Sequence, residues 1–185
     1  ARAADNGPSH IVALRTQVAA KSVVAHHGWF VPYADTASFG TDYRFRAVIS
    51  VNGLAANRPI EAMYIVGARD SILGELSGAH DYVIRFKAGQ APPARYFWSI
   101  TLYDSNFYLV PNPINRYAIG DRTLNLTRNP DGSLDIYVQR SAPAGHVSNW
   151  LPAPSGVFNL TLRMYGPRQN ALRDTYFYPP IMRTG

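Results

Sequence analysis

The chain has no cysteine. That removes thiol nucleophiles, disulfide staples and cysteine-ligated zinc from the chemistry open to it. Charge is scarce as well, with Asp, Glu, Lys and Arg making up 16% of 185 residues. Of 18 basic residues only Lys21 and Lys87 are lysine, and the arginines stand singly. A net charge of +6 without a basic run argues against a nucleic-acid partner, because tracking a phosphate backbone takes clustered cations. Weak attraction to anionic membrane or polymer surfaces remains open. No apolar run approaches the ~18 residues a transmembrane helix needs. The chain starts at Ala1, so any signal peptide or membrane anchor is expected upstream of it.

Chemical signatures are missing too. There is no phosphate loop, dinucleotide fingerprint or EF-hand loop, and no Gly-x-Ser-x-Gly elbow. No cofactor is expected. Of the five histidines, His26 and His27 are adjacent and would point ~100° apart on a helix, which is not a metal-binding pair. No metal site is expected either.

Strand formers and turns are abundant. Twelve tyrosines within a 12% aromatic share, with 14 Gly and 14 Pro, fit many short strands joined by tight turns. The first part reads differently. Pro8-Ser9 opens a helical pattern through Ile11, Leu14 and Val18, and Gly28 closes it, which predicts a helix from Ser9 to His27. Thr41-Asp42 starts a second helix that ends near Asn57.

Beyond residue 60 the period shifts toward two. Strands are predicted at Glu61–Val66, His80–Phe86, Arg95–Tyr103, Phe107–Val110, Leu124–Thr127, Ser133–Gln139, Val157–Tyr165 and Tyr176–Arg183. Arg95–Tyr103 is the expected sheet centre. Asn129-Pro-Asp-Gly marks a hairpin, Trp150-Leu-Pro-Ala-Pro a rigid loop, and Pro179-Pro180 an edge strand.

The expected fold is therefore mainly β (α+β by content): a jelly-roll-like antiparallel β-sandwich preceded by two N-terminal helices. Residues 1–60 form a helical segment packed on the sandwich and 61–185 the β domain, within one compact unit.

Candidate site residues fall in the middle third. Tyr103, Asp104, Asn112, Asn115, Arg116, Asp121 and Arg122 lie at predicted strand ends and loops. Asp–Arg sets there orient substrates or supply a general acid or base. The same residues also serve as clamps that satisfy backbone groups in turns, and both readings stand. Trp150, in its proline-rich loop, is the aromatic to watch for a glycan or apolar ligand.

Several stretches carry a family resemblance. Phe97-Trp-Ser-Ile-Thr-Leu-Tyr-Asp, Asn112-Pro-Ile-Asn-Arg-Tyr-Ala-Ile-Gly-Asp-Arg, Asn129-Pro-Asp-Gly-Ser-Leu-Asp-Ile-Tyr, Asn149-Trp-Leu-Pro-Ala-Pro and Leu162-Arg-Met-Tyr-Gly-Pro resemble, in order, the domain-of-unknown-function 1214 family. Gly40-Thr-Asp-Tyr-Arg-Phe-Arg-Ala and Glu61-Ala-Met-Tyr resemble the region upstream. The resemblance implies a bacterial jelly-roll domain, often found with a β-rich companion, the domain of unknown function 1254. It also implies a periplasmic or exported setting, membrane-anchored in some members, and brings no catalytic residues. The function expected is an envelope-associated module for assembly, with its companion or itself, or for ligand binding. The alternative is a hydrolase on a small or glycan substrate using Asp104, Arg116, Asp121 and Arg122. The sequence specifies no reaction, so whether the protein is an enzyme stays open.

Overall fold

His27 and Gly28 both have positive φ, 49° and 89°, the pair of conformations that turns a two-residue β-hairpin. The computed structural model describes residues 23–32, 36–52 and 56–185. Its first elements are the two arms of that hairpin, β1 (Val23–His26) and β2 (Trp29–Pro32). The helix expected to reach His27 is thus replaced by a strand over its last residues, and the rest of it lies outside the described residues. The β-branched and aromatic arms outweigh the helical spacing once each has a partner to pair with.

The second expected helix is present as α1, Tyr43–Asn52. Asp42 starts it by accepting the Phe45 backbone N–H through Oδ1 at 2.9 Å, which satisfies one orphan donor of the first turn. Phe39 and Phe45 meet edge-on at 5.2 Å and fix the entry of the chain.

The remaining elements are β3 (Ala62–Gly67), β4 (Tyr82–Phe86), β5 (Ala94–Asp104), β6 (Ala118–Gly120), β7 (Leu134–Gln139), β8 (Trp150–Pro152), β9 (Phe158–Pro167), α2 (Gln169–Leu172) and β10 (Ile181–Arg183). They build a six-stranded sheet ordered β1-β2-β3-β9-β5-β6 and a four-stranded sheet ordered β10-β4-β7-β8. The larger sheet begins at Val23, well before residue 61, so the segment assigned to helices also supplies two of its strands. All pairings are antiparallel except β7 with β8, so the smaller sheet is mixed rather than antiparallel.

One core lies between the sheets. Met63, Ile65, Ile100, Leu160, Leu162 and Met164 face it from the larger sheet; Tyr82, Ile84, Phe86, Ile136 and Val138 face it from the smaller one. Phe86 meets Trp98 at 5.4 Å and Tyr82 meets Phe158 at 5.9 Å. Each side chain of this size contributes roughly 1.5–3 kcal/mol by leaving water.

Several expectations need correction. β9, not β5, sits in the middle of the larger sheet, since its inward residues are apolar and its outward ones are largely covered as well. Phe107–Val110 and Leu124–Thr127 form no strands. The Asn129 turn does close, with Gly132 N donating to Asn129 O and Asn129 N to Ser133 O, each at 2.9 Å. Its first arm leaves the sheet, and Thr127 N is taken by the Asn149 side chain at 2.9 Å instead. Trp150-Leu-Pro is strand β8 rather than loop, because a proline at the last position of an outer strand forfeits no needed ladder bond. The last expected strand, Tyr176–Arg183, is cut back to β10 at Ile181–Arg183, an edge strand that starts just past Pro179-Pro180. Among the described residues no helix is long and apolar enough to cross a membrane.

Candidate functional site

Alternation along β3, β9 and β5 sends a second set of side chains to the face away from the core. Register puts Tyr64 opposite Arg163 and Arg163 opposite Ser99. In the next row Val66, Thr161 and Thr101 stand side by side. Helix α1 and the chain around Pro59 stand over this face. Between them lies a cleft of about 500 Å³, walled by Pro32, Ile49, Pro59, Val66 and Phe107 and floored by Tyr64, Tyr103, Thr161 and Arg163. That volume suits a small molecule.

Among the described residues Arg163 is the only charged one lining it. Its Nη1 donates to Thr101 Oγ1 and its Nη2 to Tyr103 Oη. The guanidinium also lies 5.5 Å from the Tyr103 ring centre and 5.9 Å from that of Tyr64, within cation–π range. Among the described residues no carboxylate pairs with it. Arg69, Arg85 and Arg183, by contrast, each have an acidic partner.

The rim is tied together by aromatics. Asn57 Nδ2 donates to Tyr64 Oη at 3.0 Å, and the Tyr64 and Tyr165 hydroxyls are 3.5 Å apart. Tyr165 stacks on Phe97 at 4.4 Å, and Arg122 covers the outer side of Phe97 at 4.2 Å. The hydrogen bond with Tyr64, then burial, push the Tyr165 phenol above its ordinary value, so it stays neutral beside Arg163.

Of the residues singled out from sequence, Tyr103 alone reaches this cleft. Asp104 caps the turn after β5, its Oδ1 accepting from Asn106 N at 2.8 Å and Tyr108 N at 2.9 Å. Asn115 occupies a left-handed turn position, with φ 49°. The Nη1 of Arg116 reaches the carbonyls of Val147, Ser148 and Trp150 at 2.8, 3.1 and 2.9 Å. Asp121 accepts Trp98 N at 3.1 Å. Trp150 is buried, with its indole N–H on Gln139 O at 2.8 Å, so it has no open ring for a sugar. Asp121 and Arg122 share a separate hollow of about 400 Å³ with Thr123 and Arg128. No hydrogen bond or ion pair among the described residues joins any two of Asp104, Arg116, Asp121 and Arg122. Nor do three His, Asp or Glu gather anywhere among them as metal ligands would.

Sequence reasoning passed over Arg163, Tyr64 and Thr161. A signal was present: Arg163 is a charge in mid-strand, on the Asn159–Thr161 side of a clean alternation. It also lies in Leu162-Arg-Met-Tyr-Gly-Pro, as Tyr64 does in Glu61-Ala-Met-Tyr and Tyr103 in the block beginning at Phe97.

A family model described as "protein of unknown function (DUF1214)" matches residues 61–169. The crystal structure of the VPA0106 protein from Vibrio parahaemolyticus is similar over 98% of this chain, with 30% identity and a TM-score of 0.69. This chain spans 43% of that protein's length. A putative uncharacterized protein from Burkholderia cenocepacia aligns over 95% of this chain and 40% of its own, at 15% identity and a TM-score of 0.47. No curated protein matches.

Proposed function

The chain belongs to the DUF1214 family, and we propose that it is a ligand-binding module whose site is the cleft over the outer face of β3, β9 and β5. The observation that carries this reading is Arg163: a cation set among tyrosines in a largely apolar cleft, with no carboxylate partner among the described residues. Leaving such a donor group partly desolvated and unpaired is costly, and a ligand relieves the cost.

The fold proposed in full is a jelly-roll-like sandwich, and the setting is the bacterial envelope, periplasmic or exported, beside a β-rich companion. Support for the companion is that more than half of the matched Vibrio protein lies outside the match. A second reading, docking to that companion or to another copy, is favoured by Phe107, Tyr108 and Leu109, which are 60%, 71% and 50% exposed on one loop. The hydrolase reading has less behind it, because its four residues are spent on separate tasks: Asp104 and Asp121 on backbone N–H groups, Arg116 on carbonyls, Arg122 on Phe97.

The test is native mass spectrometry of the protein purified gently from its own host, alongside Val66→Trp, which fills the cleft. The binding reading expects a small molecule on the wild type that is absent from the variant. A co-purifying protein chain with no small molecule would overturn it in favour of docking. A small molecule retained by Val66→Trp would place the site elsewhere.

A further inference from the structure

Resting on that reading of the cleft, we infer that its ligand is an amphiphilic monocarboxylate, an alkyl or aryl body ending in one carboxylate that seats on Arg163.

The donor inventory leads there. A guanidinium has five N–H donors, and Arg163 gives one from each Nη, to Thr101 Oγ1 and Tyr103 Oη. Having accepted, each hydroxyl still has its own hydrogen to give. The remaining guanidinium N–H groups can only donate and the two hydroxyls can add their own hydrogens, so the group is rich in donors, which suits an anion. Its capacity is for one negative charge. Among the described residues the lining holds a single cation and no second Lys, Arg or His, so a dianionic phosphate would be left half neutralised by them. A ligand cation would face Arg163 with no Asp or Glu among the described lining residues to offset it.

The rest of the wall sets the body of the ligand. Ile49, Pro59, Val66 and Phe107 are apolar and Tyr64 offers a ring, so an extended polar sugar would lose more hydrogen bonds to water than it regains. A hydrocarbon body gains from burial. The carboxylate fixes its orientation, since paired N–H···O bonds from an arginine are directional as well as strong.

The experiment is calorimetric titration with decanoate, decanol and decylamine, which share a tail and differ in the head group. Decanoate is expected to bind at least about tenfold more tightly than decanol, and decylamine more weakly than either. In Arg163→Met, decanoate affinity falls to the level of decanol while decanol is unchanged. Arg163→Lys keeps part of the preference, because the charge remains and the fork is lost; it also serves should the Met variant unfold in a circular dichroism control. Equal binding of decanoate and decanol by the wild type would overturn the carboxylate inference and leave the cleft reading standing. Binding of none of the three overturns both. A decanoate preference that survives Arg163→Met places the carboxylate elsewhere and overturns the inference.

Discussion

Arg163 and Tyr103 are not register partners, yet they are hydrogen-bonded. Arg163 stands opposite Ser99 and Tyr103 opposite Asn159, and the arginine spans the interval by running along β5, past Thr101, to the phenol. The side chain is thereby held by two hydroxyls at the floor of the cleft. Tyr103→Phe removes one of the two tethers and little else. Unfolding free energy should change by no more than about 1 kcal/mol, while decanoate affinity falls severalfold and decanol affinity stays put. Loss of both affinities together would mean that Tyr103 shapes the cleft rather than holding the arginine.

Arg116 should act on stability. One nitrogen serves three carbonyls with two hydrogens, so at least one hydrogen is shared. It ties the loop before β6 to the 3-10 turn (Val147–Asn149) that leads into β8. Arg116→Ala is expected to lower stability by about 2 kcal/mol, read from the urea midpoint at unchanged m, with binding in the cleft intact. A stable variant that has lost ligand affinity would return Arg116 to the list of site residues.

How much of this was legible in advance depended on whether the deciding partner was local. The alternation of Tyr82, Ile84 and Phe86, and of Phe158 through Met164, reports a core face within a few residues, and both strands formed. The Asn129 turn likewise closes on its own. The β1–β2 hairpin was hidden because Val23–Ala25 continue a helical spacing; what decides them is pairing with Trp29–Pro32 and then with β3. β8 was hidden by Pro152 within it and Pro154 just beyond; Pro152 pairs with Gln139 at the strand's end. The cleft was hidden for a stronger reason. Tyr64, Arg163 and Tyr103 come from three strands far apart in the chain, and only the β3-β9-β5 register brings them together. Among the loop residues that looked chemical, Asp104 caps a turn, a task that asks for the same residue type as a chemical role does.

Gly28 tests the hairpin. A Cβ there would lie 2.1 Å from the Arg69 carbonyl oxygen, on a backbone with φ 89°. That carbonyl cannot swing away cheaply, because the neighbouring Ala68 and Arg69 N–H groups are bonded to Gly28 O at 3.1 and 3.3 Å. Gly28→Ala should cost about 2–4 kcal/mol, measured by urea unfolding. A cost below about 0.5 kcal/mol would contradict the hairpin as described.

The alkaline limb of stability should carry the signature of Tyr176 and Tyr178. Burial first, then the neighbouring Tyr178 for one and Asp174 for the other, raise both phenols above the ordinary 10.0. A raised folded value means that the unfolded chain loses its protons first. The contribution is therefore complete below pH 10 and falls away as pH rises beyond it, by up to about 1.4 kcal/mol per pH unit for each phenol. Tyr178→Phe should make that limb shallower. An unchanged slope between pH 10 and 11 would show that the ring is not buried as described.

The central claim is that the outer-face cleft, and not the polar loops, is the functional site. Amide and methyl chemical-shift mapping of the protein titrated with decanoate tests it most directly. Saturable shifts are expected at Val66, Tyr103, Thr161 and Arg163 with Arg116, Asp121 and Trp150 unmoved; shifts centred on those three, or none anywhere, would contradict a site in the cleft.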